Sequence, residues 1–472
     1  MDSRRSLDAP TENSMNETPK NRRFHRQTQR HILMALAALA TLVAVFYLEE
    51  DWRGKRAWEN CKRQIEAQGI VLDWDQFIPP SVPDDQNFFK APKMQEWFVN
   101  PNAATNELTM LVTNTDKTAT ITDKTAAENF LAWSDRLQPG FDLMREALKR
   151  PYARMDGDYT KPYEIPTAFF VNIRGVALTL AQRAKCDLLL GQPDAALSEL
   201  TLLNDSRHLM EHAPTGKPIA LVDAMINVAV IGLYAETIGK GLQSHAWKEP
   251  QWEALQKQLE QINLPALVVR SFDSESAATS HTLETVSTAK LSEWFTPGWK
   301  MRWVFIPRGW IYQNMATAAR LFHQQTEGCD PVNDLIQPQK VGDSTRELKA
   351  IARPYKFIAA VAVPNFTKAW QITAYNQTLV NEGQIACALE RYHLAHGEYP
   401  ATLGALAPQF IENLPHDLIG GQPLHYQRTE GGNFLLYSVG WNETDDGGIV
   451  AKDNSGNEDK TRGDWVWHYS TP

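Results

Sequence analysis

The chain has 472 residues, 43% of them hydrophobic, and its 15 Trp are a load that disordered polymers do not carry. Its net charge of −9 is uneven: residues 1–30 hold seven Arg and Lys against four acids, about +3, which leaves about −12 on the rest. An acidic body of that kind argues against nucleic acid as its main partner. Cys61, Cys186, Cys329 and Cys387 are widely separated and form no C-x-x-C pair, which argues against a structural zinc site. Two disulfides are open in an oxidising compartment. For Cys186 and Cys387, set in apolar helix-like runs, buried free thiols are the expectation.

Residues 1–31 form a basic tail. Ile32 to Leu48 follows as seventeen residues without a charge, the short end for a spanning helix, flanked by Arg30 and His31 and by Glu49, Glu50 and Asp51. Positive charge before the run and acids after it place the N-terminus in the cytoplasm and the bulk in the periplasm, with a single pass through the inner membrane. No small-x-small site precedes Glu49, so an uncleaved signal anchor is expected rather than a removed signal peptide.

Residues 49–124 read as a juxtamembrane segment. Arg53 to Gln68 has helical spacing with Gly69 as its C-cap, and Pro79 to Pro92 should be extended and ordered by its aromatics. Residues 125–343 read as a helical body. Ala177 to Leu190 and Pro193 to Leu203 form a helix pair broken at Gly191, with the Gly-x-x-x-x-Ala spacing of a tetratricopeptide hairpin. No period of about 34 residues accompanies it, so one such hairpin is expected and not an array. Ile219 to Ala235 is apolar on nearly all sides. Asp223 and Asn227 inside it favour a buried core helix over a second span, where an Asp costs roughly 2.5–3.5 kcal/mol. Residues 294–312 carry seven aromatics interleaved with Lys300, Arg302 and Arg308. Three readings stand: a packing connector, a membrane-interface contact, or a glycan-stacking platform built on Trp299, Trp303 and Trp310.

Residues 344–472 form the last unit. A long helix, kinked or divided at Pro354 and Pro364, continues with Ile385, Ala388, Leu389 and Tyr392 on one side and ends at Gly397-Glu398-Tyr399-Pro400. Leu403, Leu406 and Phe410 fit a short amphipathic helix. Leu424 to Tyr426 and Phe434 to Val439 flank a Glu430-Gly431-Gly432 turn as a hairpin, and an acidic tail follows. This order resembles the periplasmic domain of the major pseudopilins of type II secretion. The resemblance implies a helix, a small antiparallel sheet and a calcium-binding loop, with Asp445, Asp446 and Asp464 at the matching acidic positions. Asp453 and Asp459 fall in an apparent insertion. A solvated acidic loop is the plainer reading of the same residues. The Gly-Phe-Thr-Leu-x-Glu processing motif of that family is missing near residue 31, so ordinary pseudopilin polymerisation is not implied. The juxtamembrane block resembles an uncharacterised family of bacterial membrane-anchored proteins.

No Walker loop, HExxH, G-x-S-x-G or Rossmann fingerprint occurs. His281 with Asp273, Glu275 and Ser280 is the most enzyme-like cluster, and a polar helix face explains it equally well. His393 and His396, three apart, have metal-ligand spacing that is more often a surface pair. The expectation is an α+β protein: a transmembrane anchor, a mainly helical periplasmic body and a small C-terminal helix-plus-sheet unit. Its expected role is non-enzymatic binding of envelope proteins, as an accessory of a type II secretion-like or pilus-like assembly. An envelope glycan binder and an envelope hydrolase are the other two classes.

Overall fold

The computed structural model describes residues 19–99, 121–209, 220–295, 306–341 and 354–467. Helices dominate, with small antiparallel sheets beside them, an α+β arrangement. The first helix, α1 (Pro19–Glu66), is long and apolar enough to cross a membrane, and none of its most apolar window is buried. It does not stop at Leu48. The separate helix expected from Arg53 is a continuation of the apolar one, because no proline or cap interrupts residues 49–66 and Gly54 lies inside the helix.

Gly54 is required by packing. Helix α11 (Arg308–Thr326) crosses α1 there, and a Cβ on Gly54 would lie 2.1 Å from the Gly309 carbonyl oxygen. A Cβ on Gly309 would in turn lie 1.9 Å from the Glu50 oxygen. Polar groups surround this close approach. Glu50, only 6% exposed, accepts from Trp310 Nε1 at 2.9 Å and Gln313 Nε2 at 3.3 Å, and pairs with Arg53 at 2.6 Å. Asp51 Oδ1 accepts from Gly309 N at 2.6 Å, satisfying one of the free N–H groups in the first turn of α11. Further along, Cys61 Sγ donates to Ala316 O at 3.4 Å, so the two helices run in the same direction. Trp58 and Ile65 then pack with Ile311, Met315 and Ala319 in a core of their own.

The Pro-rich stretch is not simply extended. It coils into 3-10 turns at Asp84–Gln86 and Phe88–Lys90, the second started by the Asn87 side chain, and a further turn at Trp74–Phe77, started by the Asp73 side chain, precedes it. Burial of Trp74, Phe77, Phe88 and Phe89 holds these turns where backbone preference alone would leave the chain open. The helical body follows: α2 (Pro92–Phe98), α3 (Lys124–Ser134), α4 (Gln138–Ala147), α5 (Phe170–Leu189), α6 (Pro193–Asp205), α7 (Leu221–Gln243), α8 (Glu249–Leu259), α9 (Leu264–Thr285) and α10 (Thr288–Phe295). Gly191 takes φ +76 between α5 and α6, a conformation open to glycine. Helix α7 is apolar enough to span a membrane, yet 61% of its most apolar window is buried, and Asp223 and Asn227 lie inside the fold.

After α11 comes a two-residue hairpin, β1 (Cys329–Asp330) with β2 (Leu335–Ile336). The long helix expected to be kinked or divided at its prolines is divided at Pro364, into α12 (Phe357–Ala362) and α13 (Thr367–His396); residues 342–353 lie outside the described residues. Helix α13 also departs from the one-sided pattern read from Ile385, Ala388, Leu389 and Tyr392: every position from Thr373 to Glu390 is buried. Its polar side chains bond the backbone where α8 leads into α9 and a carbonyl inside α7. Gln377 accepts from Leu264 N at 2.8 Å and donates to Ile262 O at 3.3 Å, and Asn376 donates to Val228 O at 2.8 Å. A buried helix end without such a partner would leave backbone groups unsatisfied.

Gly397 ends α13 at φ +78. The short amphipathic helix expected through Phe410 is only a 3-10 turn, Leu403–Leu406, since Pro408 cannot continue it. Strands β3 (His425–Arg428), β4 (Phe434–Ser438) and β7 (Trp465–Val466) form one antiparallel sheet in the order β3-β4-β7. The apparent insertion is a second hairpin, β5 (Val450–Lys452) with β6 (Glu458–Gly463). A continuous cluster of buried apolar residues runs from Phe88 to Trp467, so the C-terminal unit shares the core of the helical body.

Gly54→Val should lower stability by about 1–3 kcal/mol through overpacking. Thermal unfolding of the detergent-solubilised protein, followed by tryptophan fluorescence, checks this; an unchanged transition would mean the two helices do not touch.

Candidate functional site

The acidic loop is organised by one buried carboxylate. Asp464, 1% exposed, accepts from Asp446 N at 3.1 Å and from Gly448 N at 2.6 Å. Asp445 Oδ1 accepts from Tyr437 Oη at 3.1 Å and Gly447 N at 2.9 Å, with His425 3.5 Å from its other oxygen. Asp446 Oδ2 accepts from Asn442 Nδ2 at 3.0 Å. The N–H of Gly447 holds the Asp445 carboxyl below the usual carboxylate range. These three acids are thus engaged by protein donors, and among the described residues no group of three His, Cys, Asp or Glu is placed to hold a metal ion. Asp453 shapes the turn of the second hairpin by accepting from Ser455 N and Asn457 N, and Asp459, held at about 2 by Thr461 and Arg462, does the same further on.

The other sequence candidates are dispersed. Glu275 accepts from Leu221 N at 2.9 Å, where α7 begins, and its carboxyl is pushed up by burial. Asp273 is pushed up to about 6 by burial, and Ser280 is buried with its hydroxyl unpartnered. Among the described residues, no hydrogen bond joins His281 to any of these three. His393 stacks on Tyr399 and His396 on Tyr392, two different rings. Trp310 gives its indole N–H to Glu50; Trp299 and Trp303 lie outside the described residues. All four cysteines are free, with Cys61, Cys186 and Cys387 buried.

What the sequence did not single out lies where α7, α13 and the second hairpin meet. Small residues on α7 make the room: a Cβ on Gly232 would lie 2.8 Å from the Asn376 amide. Gly239 on α7 and Gly383 on α13 both face the Trp467 indole, which a Cβ would approach at 3.5 and 3.1 Å. Beside that indole opens a cavity of about 670 Å3. Its floor is apolar, with Ala229, Leu233, Ile372 and Leu379, and Glu236, Lys240, Glu458 and Lys460 border it.

Polar groups at its wall are only partly satisfied. Glu458 Oε2 accepts from Tyr375 Oη at 2.9 Å, while Glu458 Oε1 and Trp467 Nε1, both buried, have no hydrogen-bond partner. Leaving such a group unpaired costs about 1–3 kcal/mol. Lys460 lies 3.6 Å over the Tyr375 ring, and burial lowers its ammonium below the usual lysine range. One turn of α13 away, Glu382 is fully buried and neither carboxyl oxygen makes a hydrogen bond. Burial first, then the neighbouring Asp417 and Glu458, push its carboxyl far up; the nearby Ser438 N–H opposes this without reversing it. No signal at Glu382 separates it from the surface glutamates of a helix. Only the flanking buried run would have found it.

No protein-family model, curated protein or solved structure matches the chain.

A carboxyl raised on folding is a proton trap. Its stabilisation is full below the unfolded Glu value of about 4.3 and is lost as pH rises through the folded value. Glu382→Gln should therefore remove part of the stability loss seen on raising pH above about 4.3. Paired melting curves across pH check this, and parallel curves for the two proteins would show that Glu382 is not raised. Asp464→Ala should destabilise the loop by about 1–3 kcal/mol, since the N–H groups of Asp446 and Gly448 lose their acceptor. Chemical unfolding of the full chain measures it.

Proposed function

We propose that the protein is a membrane-anchored scaffold of the bacterial envelope, held in the inner membrane by α1 with its N-terminus cytoplasmic and its body periplasmic. In this reading it binds other envelope proteins as an accessory of a type II secretion-like or pilus-like assembly. One observation carries the reading: α1 is a single helix whose first part is apolar and exposed and whose last part is buried in the body. Such a helix holds the body at a set height and orientation over a bilayer. The helical layers would then present their faces to partners while the C-terminal unit stays fixed to the same core.

The test is affinity purification of the full-length protein from cross-linked, detergent-solubilised membranes, with mass spectrometry of what accompanies it. Secretion or pilus components in the eluate support the proposal. Cell-wall fragments alone would favour the glycan-binding class, and an empty eluate would remove the scaffold reading. Asp464 is already engaged by two backbone donors, and the full chain is expected to melt at the same temperature in EDTA and in millimolar calcium. A rise with calcium would restore the metal site that the pseudopilin resemblance implies.

A further inference from the structure

We infer that the cavity between α3, α4, α5 and α6 is a binding site for a primary ammonium group carried on an aliphatic stem, with Asp187 as its counter-charge. The inference stands apart from the scaffold reading, because the group is held alike whether a partner's lysine or a free amine carries it. The cavity, of about 580 Å3, is lined by four acids, Asp135, Asp142, Asp187 and Glu199, against two cations, Arg145 and Arg183. Both arginines are taken by the other three acids. Arg183 donates to Glu199 Oε1 at 3.0 Å, Asp135 Oδ1 at 2.9 Å, Ser134 Oγ at 2.7 Å and Gln138 Oε1 at 3.0 Å. Arg145 donates to Asp142 Oδ1 at 2.8 Å and Glu199 Oε2 at 3.3 Å. Asp187 is left over. It is 4% exposed, and among the described residues its carboxyl makes no hydrogen bond and no ion pair. Neither of its oxygens is sealed off, and its charge feels Glu199, Arg183 and Asp135 on the same wall, so the carboxyl itself faces the cavity. It also lies in the last turn of α5, where an acid opposes the helix dipole. A buried, unpaired carboxyl in that place costs stability, and a cation answers it.

The wall narrows the choice of cation. A hard metal ion takes about six to eight oxygens, whereas Asp187 is the one acid on this wall not already given to an arginine. A guanidinium brings five donors in a flat fork and would leave several unanswered beside carboxylates that Arg183 and Arg145 already hold. An ammonium brings three. Asp187 takes the charge, and Gln192 and Ser198 bring further oxygens at the exposed rim. Leu131 and Ala195 give the stem apolar surface. Burial first, then Glu199, push the Asp187 carboxyl up to about 7 against Arg183. The charged groups that share the cavity with it are Asp135 in the turn before α4, Asp142 and Arg145 on α4, Arg183 on α5 and Glu199 on α6. A bound ammonium favours the charged carboxyl, so binding releases a proton and strengthens as pH rises through that value, where an alkyl amine is still charged.

The experiment is isothermal titration calorimetry of the full-length protein in nanodiscs of zwitterionic phosphatidylcholine. The probes are n-butylammonium and an end-capped Gly-Ser-Lys-Ser-Gly peptide. The controls are the same peptide with norleucine for lysine, and tetramethylammonium, which has the charge without an N–H. Saturable binding of an ammonium probe is expected, about tenfold tighter than either control. Asp187→Asn keeps the shape and removes the charge, and should weaken binding about tenfold or more. Wild-type binding should be about tenfold weaker at about pH 6 than at about pH 8, and Asp187→Asn should show no such dependence. The variant should melt no lower than the wild type, since the carboxyl it removes has no partner. Ser198→Lys, exposed on α6, brings an ammonium of its own to the rim and should weaken binding about fivefold. Tighter binding of the peptide assigns the site to a lysine of a partner protein, and tighter binding of n-butylammonium assigns it to a free amine; either supports the site. No saturable binding of either ammonium, equal binding of a control, or unchanged binding by a folded Asp187→Asn protein would overturn the inference. The cross-linked purification decides the scaffold reading, so the two fail separately.

Discussion

The contact of Gly54 with Gly309 is the constraint on which the rest of the arrangement depends. Two backbones can approach that closely only where neither residue has a side chain, and any Cβ at either position would fall inside its neighbour. The approach buries Glu50 and brings Asp51 onto the Gly309 N–H in the first turn of α11. Both acids follow the uncharged run by only a few residues, so the apolar helix and the body are joined by hydrogen bonds as well as by the chain. A flexible linker at this point would leave the body free to tumble. A continuous helix with a charged, buried clasp does not.

Helix α13 serves a comparable purpose inside the body. Its buried amides supply partners for the ends of α8 and α9 and for a carbonyl of α7, which sets those three helices around it. The C-terminal unit is seated on the same helix by Trp467, whose indole occupies the space left by Gly239 and Gly383. These polar and small residues would be poor choices for an isolated amphipathic helix. They make sense for a helix enclosed on every side, where each buried amide must find a backbone group and each close neighbour needs room. The unpaired atoms of Glu458 and Trp467 and the lone carboxyl of Glu382 are exceptions to that economy, as are buried groups elsewhere such as Ser280 Oγ and Trp97 Nε1.

Much of the local structure was legible along the chain. The uncharged run, the helical body, the break at Gly191, the end of the long helix at Gly397 and the hairpin around Gly431 are written in periodicity and in glycine and proline. The failures have physical causes. The Pro-rich stretch coils because buried Phe88 and Phe89 outweigh an extended preference. The acids of the C-terminal loop carry the composition of a calcium site, and the partners they take were not legible: Asp464 accepts from the N–H groups of Asp446 and Gly448. His281 and its neighbours share a segment, yet Glu275 is directed to the start of α7.

From the sequence alone came a helix long and apolar enough to cross a membrane, an α+β body and the absence of any familiar catalytic motif, because these rest on local properties: run length, period and spacing. Only the tertiary structure decided that α1 and α11 are clasped through two glycines, that α13 is buried all round from Thr373 to Glu390, and that Glu458 and Trp467 line one cavity. Those outcomes join residues hundreds of positions apart, and no local pattern specifies which distant surface will cover a given side chain.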